Sequence, residues 1–480
     1  MKDMPVSKKV GIGIVLVQLI CTIVFIVSLL KLGMLPTTYC AVIVAMLALF
    51  LAAIAVIQMK AKKKAIISKG ISILISAVLI FAAFYIFKTG NAVASISSSE
   101  NVKVDKVVVA VLADDPAETI NDAADYTFGV QYTLKGEEIK EAIGVIETNL
   151  GKTIEKIEYD TIQDQIQELF AENVQAIILN EAYIELMDDE LSEISEKIKI
   201  IYFYEMESEV QMVQEKEEFE ISKDPFIVYV SGIDVYGAIE TNSRSDVNIL
   251  VVVNPTTHKV LLVTTPRDYY IPFPGVTGGT RDKLTHAGIY GIDVSMAALG
   301  ELYNINPGFY ARVNFTSLIK IVDALGGVTV DSECSFTLYV DGETTYVSEG
   351  LNRLNGKQAL AFCRERKQLA DGDNQRGKNQ EAVFKAIIEK LLSPAILTGA
   401  SDLLSSVEGN VETNISKEQI QELIKSQLDN PQSWTIEMMA ATGTGDSNYC
   451  YSMPRTALYV MWPNEESVNS IKTAIQEVMK

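Results

Sequence analysis

Three long apolar runs open the chain, and each is long enough to cross a membrane as a helix. Residues 11–30 and 40–59 hold 20 residues each without a charged side chain, and residues 71–87 hold 17. A bilayer core of about 30 Å requires roughly 20 helical residues, within a range of about 17–25. Because three runs follow one another and no small-residue cleavage site stands out, a removed signal peptide explains them poorly. The pattern predicts three transmembrane helices within residues 1–87, with buried core helices of a soluble protein as the alternative.

Lysines flank these runs unevenly. Lys2, Lys8 and Lys9 precede the first run and five lysines lie between the second and third, whereas only Lys31 lies between the first and second. Excess Lys and Arg remain on the cytoplasmic side of a membrane. We therefore expect a multi-pass protein of the cell membrane whose N-terminus is inside and whose residues 88–480 are extracellular.

A first mixed pattern follows the apolar runs. Residues 88–103 are Ser-rich and polar, which predicts a linker. From 104 to 206, β-branched runs of strand length alternate with segments whose apolar residues recur at helical spacing. This alternation predicts a small α/β accessory domain over 104–222 with a mainly parallel sheet. Its many acidic side chains suit a solvated surface, and no catalytic constellation stands out among them.

A second α/β pattern begins near residue 225. Three apolar runs of strand length are followed by helical patterns, and the Pro-containing segment 254–259 predicts a hairpin between the second and third strands. We expect a larger α/β domain with a central mixed sheet, having its catalytic core over 223–395 and its C-terminal part over 396–480. The predicted strands are 225–234, 245–254 and 259–268, and the predicted helices are 293–303, 315–325, 376–392 and 464–479.

Charge and composition remove several function classes. Residues 1–87 carry a net charge of +8, and because the whole chain carries −21, the remainder carries −29. So acidic a region repels a phosphate backbone, and no nucleic-acid partner is expected. His258 and His286 are the only histidines, which argues against a multi-histidine zinc site. Three cysteines follow the apolar runs, so one disulfide could form among Cys334, Cys363 and Cys450, but no disulfide framework is implied.

Arginines and carboxylates cluster near the ends of the predicted strands in the second pattern. Several guanidinium groups beside two or three carboxylates suit a polyanion together with a hard cation such as Mg²⁺. Arg376 and Gln380 share a helix face because they lie four residues apart. Alternatively, these residues simply form surface salt bridges. The cluster comprises Asp234, Arg244, Asp246, Arg267, Asp268, Arg364, Arg366, Asp371, Asp373, Arg376 and Gln380.

Four ordered blocks within 225–395 closely resemble the LytR–CpsA–Psr family. They are SGID at 231–234, SRSDVNILVVVNPTTHKVLLVTTPRDYYIP at 243–272, VNFTSLIKIVDALGGVTVD at 313–331, and LNGKQALAFCRERK with DGDNQRGKNQ within 354–380. Three spans followed by an accessory module resemble the capsule-associated CpsA branch of streptococci and related bacteria, which have Gram-positive envelopes. The resemblance implies a phosphotransferase that moves a glycopolymer, here a capsular polysaccharide, from undecaprenyl pyrophosphate to peptidoglycan.

The resemblance also implies residue roles. Asp234 and Asp246 would hold Mg²⁺, and Asp268 would support Arg267. Asp371 or Asp373 would activate the acceptor hydroxyl, and capsule-synthesis proteins are further expected partners. Helices 295–303 and 315–325 would offer an apolar trough for the lipid. The residues that would bind or orient the pyrophosphate are Arg244, Arg267, Lys283, Arg364, Arg366, Arg376 and Gln380.

The sequence departs from the family pattern at the edge of the phosphate site, because Asn379 replaces a usual arginine. Two other functions remain open. One is a non-enzymatic membrane regulator or scaffold of capsule or wall-polymer synthesis, and the other is a lipid pyrophosphatase that uses the same residues. The identity of the polymer is also open, between capsule and teichoic acid.

Overall fold

A computed structural model describes most of the chain. It covers residues 6–60, 64–97, 102–191, 194–209, 219–233, 242–365, 368–369, 373–393 and 410–480.

Three apolar helices begin the structure, as expected. The helices are α1 (Val6–Leu32), α2 (Thr37–Lys60) and α3 (Lys64–Ser97), and each is long and apolar enough to span a membrane. Polar groups meet between them, where the Ser72 hydroxyl donates a 2.5 Å hydrogen bond to Gln18 Oε1. Residues 88–97 of the predicted linker are helical and continue α3. Polar, Ser-rich composition alone does not end a helix, and this stretch contains no proline.

The first α/β unit, residues 102–209, contains a five-stranded sheet. The expected mainly parallel sheet is wrong, because β1 runs antiparallel to both of its neighbours, β4 and β5, while β2 is parallel to β3 and β4. The sheet order is β3-β2-β4-β1-β5. The elements are β1 (Val102–Leu112), β2 (Thr127–Val130), α4 (Gly136–Leu150), β3 (Glu155–Glu158), α5 (Ile162–Phe170), β4 (Ala176–Asn180), α6 (Ala182–Leu191), α7 (Ile194–Lys197) and β5 (Ile198–Glu209).

The second α/β unit, from residue 219 onward, is built on a six-stranded mixed sheet of order β16-β11-β6-β7-β8-β17. The predicted hairpin is confirmed, since β7 and β8 pair antiparallel up to Asn254 and Lys259. The first elements of this unit are β6 (Phe226–Ile233), β7 (Val247–Asn254), β8 (Lys259–Thr264), β9 (Tyr270–Pro272), β10 (Arg281–Lys283), α8 (Leu284–Tyr290), α9 (Ile292–Tyr303), β11 (Phe309–Asn314) and α10 (Phe315–Ala324).

Short strands and four further helices complete the described part of this unit. Side-chain caps fix several helix starts; for example, Asn355 and Gln358 form a capping box at the start of α11. The remaining elements are β12 (Val328–Ser332), β13 (Phe336–Val340), β14 (Glu343–Val347), β15 (Gly350–Leu354), α11 (Gly356–Arg364), α12 (Asp373–Leu391), β16 (Val411–Thr413), α13 (Lys417–Asp429), β17 (Thr435–Ala440), β18 (Gly443–Tyr449), β19 (Ala457–Pro463) and α14 (Glu465–Val478).

One hydrophobic core joins the two α/β units. Its buried members run from Val108 in the first unit to Val478 near the C-terminus. At the junction, the Tyr183 and Tyr290 rings meet edge to face at 6.5 Å, and the Gln163 amide donates a 2.8 Å hydrogen bond to the Thr456 hydroxyl. The two units therefore share buried surface rather than being joined only by the chain.

The second unit also contacts the apolar helices. Gln421 on α13 donates a 2.8 Å hydrogen bond to the carbonyl of Leu32, the last residue of α1. Gly33 follows with φ of +67°, a left-handed conformation that suits glycine. This contact lies at the end of the bundle where α1 connects to α2, and α3 also contacts α13 and β16.

Candidate functional site

The segment before β7 is held by close backbone contacts. The Asp246 amide donates to the carbonyl of Gly232 at 2.8 Å, and the Ser245 amide donates to the carbonyl of Thr285 at 3.0 Å. A Cβ on Gly288 in α8 would lie 2.4 Å from the Ser243 carbonyl oxygen, so a larger residue would not fit. Helix α8 thus fixes the position of Asp246.

Asp246 is a buried carboxylate surrounded by cationic side chains. It accepts hydrogen bonds from Arg267 Nη1 at 2.9 Å and from the Thr285 hydroxyl at 3.0 Å. Burial opposes ionisation, but Arg267, Arg244 and Arg376 outweigh it and hold the pKa of Asp246 below its ordinary value. Asp246 therefore remains anionic at neutral pH.

A second carboxylate, Asp268, lies beside Asp246 in the same wall. Lys283 Nζ contacts Asp268 at 2.7 Å, whereas Arg267 Nε lies 3.9 Å from it. Lys283 therefore forms an ion pair with Asp268, and it lines neither of the cavities described below. The expected support of Arg267 by Asp268 is a long contact, and the closer partner of Asp268 is Lys283.

A partly open cavity of about 140 Å³ lies between this wall and helices α10, α11 and α12. Arg376 and Gln380 both line it, as their spacing on α12 predicts. Arg364 enters from the end of α11, where its guanidinium carbon lies 4.4 Å from the centre of the Phe315 ring. The other side of the cavity is apolar and is formed by Ile233, Val247, Val313, Phe315, Leu318, Leu360 and Phe384.

A second cavity of about 270 Å³ adjoins the first. Asp246, Arg376 and Gln380 line both cavities, and Arg267 and Asp268 line the second. The two spaces therefore meet at one charged boundary. Apolar residues form most of the lining of the first cavity, whereas most residues that line the second are polar or charged. An amphipathic ligand with an anionic centre matches this division in shape and charge.

Two further titratable groups belong to this region. Burial raises the pKa of the Cys363 thiol to about 12, although Arg376 opposes the shift. Burial also raises the pKa of Glu381 on α12, although hydrogen bonds with Thr264 and the positive charge of Lys378 oppose this shift. Cys363 lines the first cavity as a neutral thiol.

The structure brings together much of the predicted cluster. Asp246, Arg267, Asp268, Arg364, Arg376 and Gln380 line the two adjoining cavities, and Arg244 acts on Asp246 electrostatically. The ion pairs here are buried in the cavity wall, unlike surface salt bridges. Asp373 is the first residue of α12. Asp234, Arg366 and Asp371 lie outside the described residues.

Sequence reasoning missed residues whose roles depend on tertiary contacts. Thr285 hydrogen-bonds to Asp246, yet it belongs to no charged motif. Phe315 lies in a helix that was expected to line the trough, but its contact with the Arg364 guanidinium was not predicted. Of the two helices expected to line an apolar trough, α10 contributes Phe315 and Leu318. Helix α9 contributes no residue to either cavity and instead borders a separate groove.

The described ranges contain no group of three or more His, Cys, Asp or Glu that could hold a metal ion by themselves. Mg²⁺, however, commonly uses one or two carboxylates together with substrate phosphates and water. Asp246 suits that mode, because it is anionic and lies at the boundary of both cavities. The donor set therefore fits a magnesium ion that arrives with a phosphate ligand.

Comparison with known proteins identifies the family. The TagU polyisoprenyl-teichoic acid–peptidoglycan teichoic acid transferase of Bacillus anthracis is 36% identical over 207 residues, which cover 43% of this chain and 66% of that protein. The TagU protein of Oceanobacillus iheyensis is 35% identical over 188 residues, covering 38% and 57%. The chain thus spans less than two thirds of the length of these relatives.

The chain is also similar to solved structures. The crystal structure of B. subtilis TagV is 26% identical, with a TM-score of 0.46, over 54% of this chain and 98% of that one. The family model described as the LytR_cpsA_psr family matches residues 195–472, which is more than half of the chain. The chain therefore belongs to the LytR–CpsA–Psr family.

Proposed function

We propose that this chain is a membrane-anchored phosphotransferase that moves a glycopolymer from undecaprenyl pyrophosphate to peptidoglycan. The observation that carries the proposal is the pair of cavities that share Asp246, Arg376 and Gln380. The first isoprene units of a polyprenyl tail suit the first cavity, a pyrophosphate suits the charged boundary, and a glycan suits the second cavity, which polar and charged residues mostly line. The teichoic acid transferase names of the TagU relatives support the same class of reaction.

The proposed reaction conserves the phosphate groups of the donor. A peptidoglycan hydroxyl oxygen attacks the phosphorus that carries the polymer, and the bridging P–O bond of the pyrophosphate breaks. The products are a phosphodiester between polymer and wall, undecaprenyl phosphate, and the hydroxyl proton. The energy comes from the pyrophosphate bond, so neither ATP nor a covalent enzyme intermediate is needed.

The arginines would supply most of the electrostatic stabilisation. Phosphoryl transfer depends mainly on positioning and on neutralising charge at the phosphate oxygens. Arg267, Arg364 and Arg376 line the cavities with guanidinium groups, which match phosphate oxygens bidentately. A Mg²⁺ ion held by Asp246, and by Asp234 as the family resemblance implies, would neutralise further phosphate charge. Asp371 or Asp373 remains the proposed base for the acceptor hydroxyl.

The reaction would take place outside the cell. The distribution of lysines supports an extracellular location for residues 88–480, and peptidoglycan lies on the same side. Contact between Gln421 and the end of α1 would keep the cavities near the lipid headgroups.

As the polymer we propose a capsular polysaccharide, because three spans and an accessory unit resemble the capsule branch. Wall teichoic acid is the alternative that the TagU names suggest.

Transfer can be tested with the full-length protein in liposomes that contain a lipid-linked polymer, Mg²⁺ and peptidoglycan oligosaccharides. We expect wall-linked polymer from the parent and a loss of about 10²–10³-fold for Arg267→Ala or Asp246→Ala, comparable to removing an electrostatic transition-state contact. Arg353→Ala, an exposed arginine that lines neither cavity, serves as the matched control. Transfer by both site variants at the parent rate would contradict the proposal.

Product analysis separates the two other functions. A lipid pyrophosphatase would release free phosphorylated glycan even when acceptor is saturating, whereas the transferase releases wall-linked glycan. A non-enzymatic scaffold would retain its partner binding and its cellular effect in Arg267→Ala.

Removal of the metal tests the magnesium assignment. Chelation of Mg²⁺ with EDTA should abolish transfer, and restored activity on adding Mg²⁺ would support the metal assignment.

A further inference from the structure

An open groove of about 620 Å³ adjoins the apolar cavity on the far side of α11. Its walls are the β13–β14 hairpin, α10 and α11. Leu360 and Arg364 line both the groove and the cavity, so the two spaces adjoin at α11. The guanidinium that borders the proposed phosphate site therefore also borders this groove.

The groove presents a flat aromatic side chain among charged groups. Tyr339 lines it and is 73% exposed. Lys357 and Asp341 line the groove and form an ion pair, and Arg364 and Glu365 line it at the end of α11. Aromatic rings offer a large apolar face at low entropic cost, while charged groups and amides take up hydroxyls. This combination suits a saccharide, whose rings have apolar C–H faces and polar edges.

The β13–β14 hairpin points its aromatic side chains away from the core. Phe336, Leu338 and Val347 are buried, whereas Tyr339 and Tyr346 lie on the opposite face, which is solvent-exposed. Strand alternation explains why the two faces differ. Tyrosine is common in strands, and the rings of Tyr339 and Tyr346 are left exposed to solvent.

Other occupants fit less well. The first isoprene units of a polyprenyl tail need an apolar surface, which the 140 Å³ cavity offers, whereas this groove is more open and four of its ten lining residues are charged. A glycan strand is long and must leave the site at both ends, which an open groove permits. Another open groove, which Trp462 lines, shares no residue with the apolar cavity.

We propose that the groove along α11 binds the glycan strand of the peptidoglycan acceptor, with a sugar ring stacked on Tyr339. This inference rests on the proposed function for the identity of the strand. It gives the acceptor its own subsite, next to Arg364 and separate from the second cavity that takes the donor glycan. The acceptor hydroxyl then approaches the phosphate from the α11 side.

The first test measures binding without donor. Detergent-solubilised full-length protein is titrated with a peptidoglycan tetrasaccharide, and affinity is followed by calorimetry. We expect Tyr339→Ala to weaken binding at least about fivefold and Tyr339→Phe to retain it, because the ring face remains. Tyr449→Ala is the matched control, since Tyr449 is an exposed hairpin tyrosine outside the groove. Equal affinity of parent and Tyr339→Ala would overturn the proposal, as would no measurable binding by the parent.

The second test separates this inference from the proposed function. In the liposome transfer assay, Tyr339→Ala should raise the KM for the peptidoglycan oligosaccharide while leaving the KM for the lipid-linked donor unchanged. If the parent transfers polymer but Tyr339→Ala shows the parent's acceptor KM, the groove assignment is wrong and the enzyme assignment stands. If the parent binds the oligosaccharide through Tyr339 but never transfers polymer, the groove stands and the proposed function fails.

Discussion

Individual side chains in the cavities differ in chemistry because their surroundings differ. Asp246 has three arginines acting on it and a pKa below its ordinary value. Cys363 lines the apolar cavity, where burial raises its pKa to about 12. The carboxylate is therefore charged and the thiol is neutral at pH 7, although Arg376 influences both.

Cys363 is consequently expected to be chemically inert. We expect Cys363→Ser to transfer polymer within about threefold of the parent, since a thiol with so high a pKa supplies no thiolate nucleophile. Iodoacetamide at pH 8 should leave Cys363 unmodified in the folded protein, as mass spectrometry of the peptides can show. Rapid alkylation, or loss of transfer in the serine variant, would contradict this assignment.

The sequence predicted the residue types of the site better than their contacts. Spacing placed Arg376 and Gln380 on one helix face, and both line the first cavity. By contrast, the pairing of Lys283 with Asp268 depends on how β10 lies against the end of β8, which local sequence does not encode. Thr285 was missed for the same reason, because its hydroxyl reaches Asp246 only through tertiary packing.

At the scale of elements, helices pressed against strand ends hold the site together. Helix α8 supports the segment before β7, and α12 lies against β8 and β17. Local periodicity predicted α9, α10, α12 and α14, because each has enough apolar residues at helical spacing. Short strands such as β2 and β16 were missed, because three or four residues carry little periodic signal.

A substitution at Gly288 tests whether α8 supports the segment before β7. Gly288→Ala would place a Cβ 2.4 Å from the Ser243 carbonyl oxygen, so the segment leading to Asp246 must shift. We expect a destabilisation of about 1–3 kcal/mol and reduced transfer, measured by thermal unfolding and the liposome assay. Gly144→Ala in α4 is the control, since nothing lies within 4 Å of its added methyl. Unchanged stability and transfer in the Gly288 variant would refute close packing at this helix.

Glu381 makes the packing of α12 sensitive to pH. Burial raises its pKa above the ordinary value of 4.5, so between these two pKa values the folded protein binds more protons than the unfolded chain. The contribution of Glu381 to the free energy of unfolding is therefore full at low pH and is lost as pH rises through the raised pKa. Glu381→Gln should remove this loss and unfold at a higher temperature than the parent at pH 7.5. Parallel stability-versus-pH curves for the two proteins would argue against the assignment.

On the scale of the whole molecule, the shared core makes the two α/β units interdependent. Composition showed two mixed patterns, but it did not show that both would contribute to one buried cluster. Contacts between distant segments, such as Gln163 with Thr456, create this junction. The strand directions of the first unit were mistaken for the related reason that β1 pairs with elements far along the chain.

The junction predicts coupled unfolding. Tyr183 is fully buried, and Tyr183→Ala should destabilise the protein by about 3–5 kcal/mol through the lost ring and the cavity left behind. Hydrogen exchange should then accelerate in β7 of the second unit as well as in β4 of the first. Tyr346→Ala, which truncates an exposed tyrosine, should change neither. Acceleration confined to residues 102–209 would show that the units unfold separately.

The hydrogen bond between Gln421 and Leu32 has a consequence for where a transferase of the proposed kind could work. An enzyme that is docked on its own anchor has a fixed reach. It could decorate only wall strands passing just above the lipid surface, which are the most recently made. Polymer would then be found farther out only because older wall is pushed outward as new layers form beneath it.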